Sequence, residues 1–249
     1  MTDHWMTDPT PLAHAPSGFD QCRQHAALIA FNSRPSQYLH HSWRIEFADA
    51  GLSDFLFDGA YAHELLSEYI LLKTGMADIP YQDWRHPAMQ IGMHLNAVQM
   101  QELACRLALI LIGQPIRRAI SNPAVAAWTT ALGEPLYRFT CKQAPLLGGA
   151  RFMNLPEWQE WQSPSISPET VATQARNLGF RFLNKCSHVV DAAIGQRVRL
   201  KLPREIAQRT SLKINPDHYQ EVWTWINRVW SSMPMPASPS IIPGQAAYK

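Results

Sequence analysis

The longest apolar stretch of the chain lies in residues 96–120, which read NAVQMQELACRLALILIGQPIRRAI. From 103 to 112, every residue except Arg106 is apolar. A helix with apolar residues on every side is a buried one, because it has no polar face to turn toward water. The pattern therefore predicts a central buried helix over about 97–112, around which the other helices pack.

Further helices are predicted by apolar positions at helical spacing, by caps and by glycine stops. At the central helix, Asn96 and Gln99 can form a reciprocal cap, and Gly113 can end the helix. Similar signals predict helices over residues 19–31, 54–74, 115–120, 123–132, 134–141, 167–195 and 216–230, the second of them capped by Ser53 and weakened by Gly59. The predicted fold class is mostly α, a single globular helical domain with at most one or two short strands.

Three segments depart from the helical pattern. Residues 76–95 and 144–166 contain several prolines and glycines and are predicted to be loops with short turns. The segment RVRLKLP, residues 197–203, alternates basic and aliphatic residues, a period of two that is typical of a half-buried strand. No second strand is evident, so this segment either borrows a partner strand or is merely extended.

The two ends of the chain differ from its middle in composition. Residues 1–18 hold three prolines and show no periodicity, which predicts a flexible N-terminal arm. Residues 232–249 hold four prolines and are predicted to be a disordered tail. Residues 19–231 are left as one helical domain.

Charge and composition exclude several classes of protein. The 22 Lys and Arg residues nearly balance the 20 Asp and Glu residues and are scattered, which argues against a nucleic-acid binder. The apolar run at 103–112 is about half of the roughly 20 residues that a bilayer span needs, so no direct membrane insertion is predicted. Four scattered cysteines without a CxxC pair favour a reducing cytoplasm.

A search for catalytic and cofactor motifs finds none. His63 and Glu64 do not form HExxH, since the position four after His63 is Ser67. No glycine-rich phosphate loop and no GxSxG motif is present. We therefore predict no catalytic residue, no cofactor and no metal site, although the histidines at 40, 41, 86 and 94 could converge on a metal in the fold.

Three arginines in the central segment each allow two interpretations. Arg106 lies in the apolar run four residues after Glu102, so it either forms an intrahelical pair or is presented in a groove to an acidic partner. Arg117 and Arg118 lie near the end of a predicted short helix. There they either complement the helix dipole or belong to an interface.

Three segments resemble the SctK family, which includes the YscK and PscK types. They are FNSRPSQYLHHSW at 31–43, ELACRLALILIGQPIRRAI at 102–120 and RVRLKLP at 197–203. The middle segment is the most specific, because an arginine inside an apolar run followed by Gly and Ile-Arg-Arg is unusual. SctK proteins are cytoplasmic accessory components of the bacterial type III secretion injectisome.

The resemblance implies a non-enzymatic adaptor of the cytoplasmic sorting platform. Such an adaptor links the cytoplasmic domain of the inner-membrane ring protein SctD to the pod protein SctQ, and indirectly to SctL and the secretion ATPase. It implies a cytoplasmic location, peripheral to the inner membrane. The alternative is a small helical enzyme or ligand-binding protein with a cleft lined by histidines such as His86 and His94. The candidate partner-binding residues, drawn from the matching segments, are Tyr38, Leu39, His40, Arg106, Arg117 and Arg118.

Overall fold

The computed structural model describes residues 18–48, 57, 59, 62–79, 86–149, 166–188, 190–209 and 216–233. In these ranges the regular structure is helical and contains no strand, which confirms the mostly α fold class. None of the helices described there is long and apolar enough to cross a bilayer. The predicted N-terminal arm, residues 1–18, lies outside the described residues except for its last residue. The predicted tail, residues 232–249, lies outside them except for its first two residues.

The helices follow one another with short connections. In the first half of the described chain they are α1 (Gly18–Ser33), α2 (Pro35–Tyr38), a 3-10 turn (His41–Trp43), α3 (Arg44–Ala48), α4 (His63–Lys73), α5 (Pro87–His94), α6 (Ala97–Ile112) and α7 (Gln114–Arg117). In the second half they are α8 (Asn122–Leu132), α9 (Glu134–Arg138), a π-helical turn (Phe139–Gln143), α10 (Ala144–Leu147), α11 (Val171–Ser187), α12 (Ala192–Leu200), α13 (Arg204–Ala207) and α14 (Pro216–Ser231).

The central helix predicted over 97–112 is confirmed as α6. Its first turn is held by a reciprocal cap, in which the Gln99 amide donates to Asn96 Oδ1 and the Asn96 amide donates to Gln99 Oε1, both at 2.9 Å. Gly113 is its C-cap. Most of the helix is buried, and α11 makes with it the most extensive contact between two helices of the described chain.

The crossing of α6 and α11 depends on a glycine. A Cβ atom added at Gly179 of α11 would overlap the backbone carbonyl of Ala104 in α6. Gly179 therefore allows the two backbones to approach directly, although a glycine inside a helix costs about 1 kcal/mol relative to alanine. On one side of this crossing α8 packs through Trp128 and Leu132, and on the other lies the larger part of the core.

The strand suggested by the alternation at 197–203 is wrong. Residues up to Leu200 belong to α12, and Lys201 is its C-cap. The alternation misleads because the basic positions do not face water: Arg197 is 1% exposed and Lys201 is 4% exposed. This end of the helix is therefore buried on several sides. The positions of its basic residues do not indicate which side faces solvent.

Three further boundaries differ from the prediction. Residues 87–94, predicted to be a loop, form α5, because Pro87 occupies the first turn and the His86 side chain caps it. Residues 144–147, also predicted to be loop, form α10. The helix predicted over 167–195 is divided into α11 and α12, and Asp191 caps the second by accepting from the Ala193 amide at 2.8 Å.

Candidate partner-binding groove

The segments 31–43 and 197–203 are joined directly in the fold. Two hydrogen bonds connect them, and a third joins the first segment to Arg204, the residue that follows the second; all three span about 160 positions of the sequence. They run from the His40 amide to the Leu200 carbonyl (2.8 Å), from Trp43 Nε1 to the Leu202 carbonyl (2.9 Å) and from the Arg204 amide to Ser42 Oγ (2.8 Å). The connections fix the chain around the 3-10 turn against the end of α12 and the start of α13.

A buried lysine strengthens this junction. Lys201 Nζ donates to the Leu95 carbonyl at 2.6 Å and lies 5.5 and 5.1 Å from the ring centroids of Phe31 and Tyr38. Burial lowers the pKa of Lys201 to about 7. Its long side chain thus brings the C-terminal segment into contact with α1, α2 and the end of α5.

Two of the candidate partner-binding residues form the base of the same junction. The Tyr38 hydroxyl donates to the Phe31 carbonyl at 2.9 Å, and the two rings lie 5.0 Å apart. Burial raises the pKa of Tyr38, so the phenol stays protonated at neutral pH. Leu39 is half-buried against the larger core. Both residues hold the turn in place, and a direct role toward a partner stays a prediction.

A groove of about 510 Å³ opens beside this junction. One wall comes from the turn and α3, where His40, His41 and Ile45 line it. The opposite wall comes from Gln101 of α6 and from α11, and the third from the start of α13. The groove therefore gathers parts of the chain from both ends and from the central helix.

The groove combines an apolar contact point with a free positive charge. Ile45 is 60% exposed and offers an apolar side chain at the groove wall. Arg176 is half-buried and has no carboxylate partner among the described residues. Arg204, by contrast, lies with its Nε atom 3.0 Å from Glu46 Oε2, so its charge is already balanced. Glu205 also lines the groove, so a partner would meet an apolar side chain beside charges of both signs.

His40 lines the groove and also organises its rim. Its Nδ1 atom lies 2.8 Å from Ser42 Oγ and accepts from the Ser42 amide at 3.3 Å. Burial, with a smaller effect of the neighbouring His41, lowers the pKa of His40 to about 4. The two imidazole rings lie 4.2 Å apart. His40 is therefore neutral at neutral pH and can present a ring face, not a charge.

Arg106 lies away from this groove surface, inside the core. It is 4% exposed, and its Nε and Nη2 atoms donate to Glu102 Oε1 at 2.9 and 2.7 Å. The guanidinium group also lies 4.5 Å from the ring centroid of Phe139. The intrahelical pair is confirmed. The buried guanidinium offers a partner little surface, and its partner-binding role stays a prediction.

Arg117 and Arg118 separate in the structure. Arg117 is half-buried, burial lowers its pKa, and its Nη1 atom finds no hydrogen-bond partner in the described part of the chain. Arg118 is exposed, and Ile120 beside it is 93% exposed. Of the two arginines, Arg118 is the one available to a partner.

The histidines of the predicted cleft are used elsewhere. His86 accepts from the Ala88 amide at 3.1 Å at the start of α5, and His94 stacks on Trp230 with 6.2 Å between ring centroids. In the ranges that the structure covers, no three His, Cys, Asp or Glu residues are grouped closely enough to hold a metal ion. His86 and His94 therefore do not line a common metal site in those ranges.

Sequence reasoning missed His41, Ile45, Arg176 and Phe180 as groove residues. His41 stands next to a candidate that was selected, so its adjacency was a usable signal. Arg176 and Phe180 lie on the predicted helix over 167–195. The sequence of an amphipathic helix does not show whether one of its arginines faces a groove or open solvent. Only the long-range packing places them opposite the turn.

The chain matches the model of a known protein family. The model of the family described as YOP proteins translocation protein K (YscK) matches residues 27–223. This range contains all three of the segments at 31–43, 102–120 and 197–203. No curated protein and no solved structure matches the chain. Because the matched range covers well over half of the 249 residues, the chain belongs to the YscK family.

Proposed function

We propose that the chain is a non-enzymatic adaptor of the type III secretion sorting platform that links the cytoplasmic domain of SctD to SctQ. Membership of the YscK family gives the chain a role related to type III secretion. The proposal is carried by one observation, the groove at which the segments 31–43 and 197–203 meet. In this role the chain is cytoplasmic, is held near the inner membrane by SctD and reaches SctL and the ATPase through SctQ.

The groove is the first of the two surfaces that a linker needs. Tryptophan, tyrosine and arginine dominate binding energy in protein interfaces, and apolar contacts around them exclude water. Ile45 supplies an exposed apolar side chain, and Arg176 supplies a guanidinium without a carboxylate in the described chain. Both lie on short or rigid elements that the neighbouring hydrogen bonds hold in place.

The second surface is the exposed end of α7, with Arg118 and Ile120. Gln101, near the start of α6, lines the groove, whereas α7 follows the opposite end of α6. At about 1.5 Å per residue, the helix alone separates the two regions by roughly 15 to 20 Å. Two partners can therefore bind without competing for one patch.

The test compares single substitutions at the two surfaces. Ile45→Glu places a charge in the groove, and Ile29→Glu, at a side chain 64% exposed on α1, is the matched control. Calorimetric titration with the SctD cytoplasmic domain and with SctQ should show that Ile45→Glu weakens one partner at least tenfold, whereas Ile29→Glu weakens neither. Arg118→Gln should weaken the other partner and leave the first unchanged.

Two outcomes would contradict the proposal. If neither SctD nor SctQ binds the wild-type chain at micromolar concentration, the chain is not their linker. If both partners bind but Ile45→Glu and Ile29→Glu behave alike, the adaptor role stands and the groove is not its binding surface.

A further inference from the structure

A second cavity, of about 370 Å³, lies on the other flank of the junction. It borders the end of α13 and shares only Gln208 with the groove lining. Its apolar lining comes from side chains that are themselves mostly buried, which are Trp43, Met76, Leu200 and Ala207. The cavity therefore has a rigid apolar base that is independent of Ile45 and Arg176.

The charged groups that line this cavity are all of one sign. They are Arg199 and Arg209, and the lining contains neither Asp nor Glu. His188 also lines the cavity, but burial and the neighbouring Arg199 lower its pKa, so it adds no charge at neutral pH. Arg209 is exposed at the rim, whereas Arg199 is half-buried. A cavity with low-dielectric walls and charge of one sign attracts the opposite charge more strongly than an open surface does.

Among the described residues, Arg199 lacks the carboxylate partner that Arg106 and Arg204 have. Arg106 is paired with Glu102, and Arg204 with Glu46. Arg199 donates from Nε to the Gly195 carbonyl at 3.3 Å, and its Nη1 atom lies 3.3 Å from His188 Nδ1. No carboxylate reaches it from the described part of the chain.

Desolvation makes this arrangement costly for the free chain. Burial lowers the pKa of Arg199, which expresses the penalty of removing its charge from water without a counter-ion. An incoming carboxylate would offset that penalty, and a planar guanidinium can bind a carboxylate through two parallel hydrogen bonds. Phosphate could use the same fork, but the apolar base contributes only to a ligand that also carries an apolar group.

We propose that this cavity binds an acidic segment of a partner protein. An Asp or Glu carboxylate pairs with Arg199, with Arg209 at the rim, and a neighbouring apolar side chain packs on Trp43 and Leu200. The proposal does not depend on SctD or SctQ, because the cavity is defined by residues outside the groove and outside α7. It adds a separate binding site for a carboxylate-bearing peptide.

The experiment uses the full-length chain and a defined probe. A fluorescein-labelled peptide of alternating Leu and Glu is titrated with the protein at low salt, and binding is followed by anisotropy. The matched probe carries Gln at each Glu position. The protein variants are Arg199→Gln, Arg209→Glu, and the control Arg138→Gln, since Arg138 is exposed and lies at the distant helix α9.

The proposal predicts saturable binding of the acidic peptide and at least fivefold weaker binding of the Gln peptide. Arg199→Gln and Arg209→Glu should each weaken the acidic peptide at least fivefold, and Arg138→Gln should not change it. Circular dichroism establishes that each variant is folded. Arg209 is exposed, so its variant keeps the test decisive even if Arg199→Gln is destabilised.

Three results would overturn the proposal. One is no saturable binding of the acidic peptide at millimolar protein. Another is equal affinity for the Glu and Gln peptides, which would make the cavity merely apolar. The third is complete displacement of the peptide by an equal concentration of inorganic phosphate, which would make it a general anion site. None of these results bears on the SctD and SctQ titrations.

Discussion

At the residue scale, basic side chains inside apolar stretches are buried and hydrogen-bonded within the fold. Arg197 is 1% exposed, and its Nη1 and Nη2 atoms donate to the carbonyls of Ala193 at 3.0 Å and Met76 at 3.4 Å. Burial lowers the pKa of Arg197, as it does for Lys201. The aliphatic parts of these two side chains pack in the core, and their polar ends donate to backbone carbonyls. They thereby connect segments that are far apart in the sequence.

Gly179→Ala is expected to destabilise the chain. The replacement favours helix formation by about 1 kcal/mol, but its Cβ atom would overlap the Ala104 carbonyl and force α6 and α11 apart. An overpacking cost of about 3 kcal/mol, less that gain, leaves a net loss of about 2 kcal/mol in the free energy of unfolding, measurable by urea titration. The matched control is Thr173→Ala on an exposed position of α11, which should change stability by less than about 0.5 kcal/mol. A more stable Gly179→Ala variant would contradict the close crossing.

Some contacts of single residues can be predicted from the sequence, and others cannot. The pairing of Arg106 with Glu102 follows from their spacing of four, because such residues are neighbours on a helix. The value of Gly179 does not follow, since from the sequence it is only an unfavourable residue inside a helix. Its role comes from a second backbone that packing brings close.

At the element scale, α12 and the segment after it pack against α1, α2 and the 3-10 turn. Lys201 at the C-cap of α12 reaches the Leu95 carbonyl and the rings of α1 and α2, and the following residues bond to the 3-10 turn. These contacts position the groove on one side and the second cavity on the other. Substitutions in this element should therefore alter both the groove and the second cavity.

Lys201 predicts a specific dependence of stability on pH. Burial lowers its pKa from 10.5 to about 7, so between these values the folded chain binds fewer protons than the unfolded chain. The free energy of unfolding must then rise with pH across that interval. Between about pH 7.5 and 8.5, wild type should gain ~1 kcal/mol per pH unit relative to Lys201→Met.

Urea titrations of both proteins at several pH values measure this difference. The slope, not the absolute stability, is the readout, because Lys201→Met also leaves the Leu95 carbonyl without its donor. Parallel slopes for the two proteins would show that Lys201 is charged and accommodated without penalty in the fold.

Elements with local signals could be predicted from the sequence, and those that depend on distant contacts could not. The cap, the apolar run and Gly113 lie within α6 itself, so its bounds were predicted. Helix α5 was missed because Pro87 and Gly92 look like breakers. In the fold Pro87 begins the helix, and Gly92 lies where a Cβ atom would come within 2.6 Å of the Phe31 ring.

At the scale of the whole molecule, the groove is assembled from segments that the sequence keeps far apart. The family segments at 31–43 and 197–203 could be identified along the chain, but no local pattern states that they touch. Hydrogen bonds such as the one from Trp43 Nε1 to the Leu202 carbonyl bring them together, and α6 and α11 supply the remaining walls. In such a linker, one hydrophobic core holds the binding surfaces in fixed positions.

The adaptor role is tested most directly by asking whether the chain bridges its two proposed partners. Purified SctD cytoplasmic domain and SctQ are mixed with and without the full-length chain, and the mass of each complex is measured by size-exclusion chromatography with light scattering. We expect a complex of all three proteins that is absent without the chain. We also expect Ile45→Glu to abolish the three-protein complex and to leave a complex of the chain with one partner. A chain that binds each partner alone, but never both together, would contradict the adaptor role.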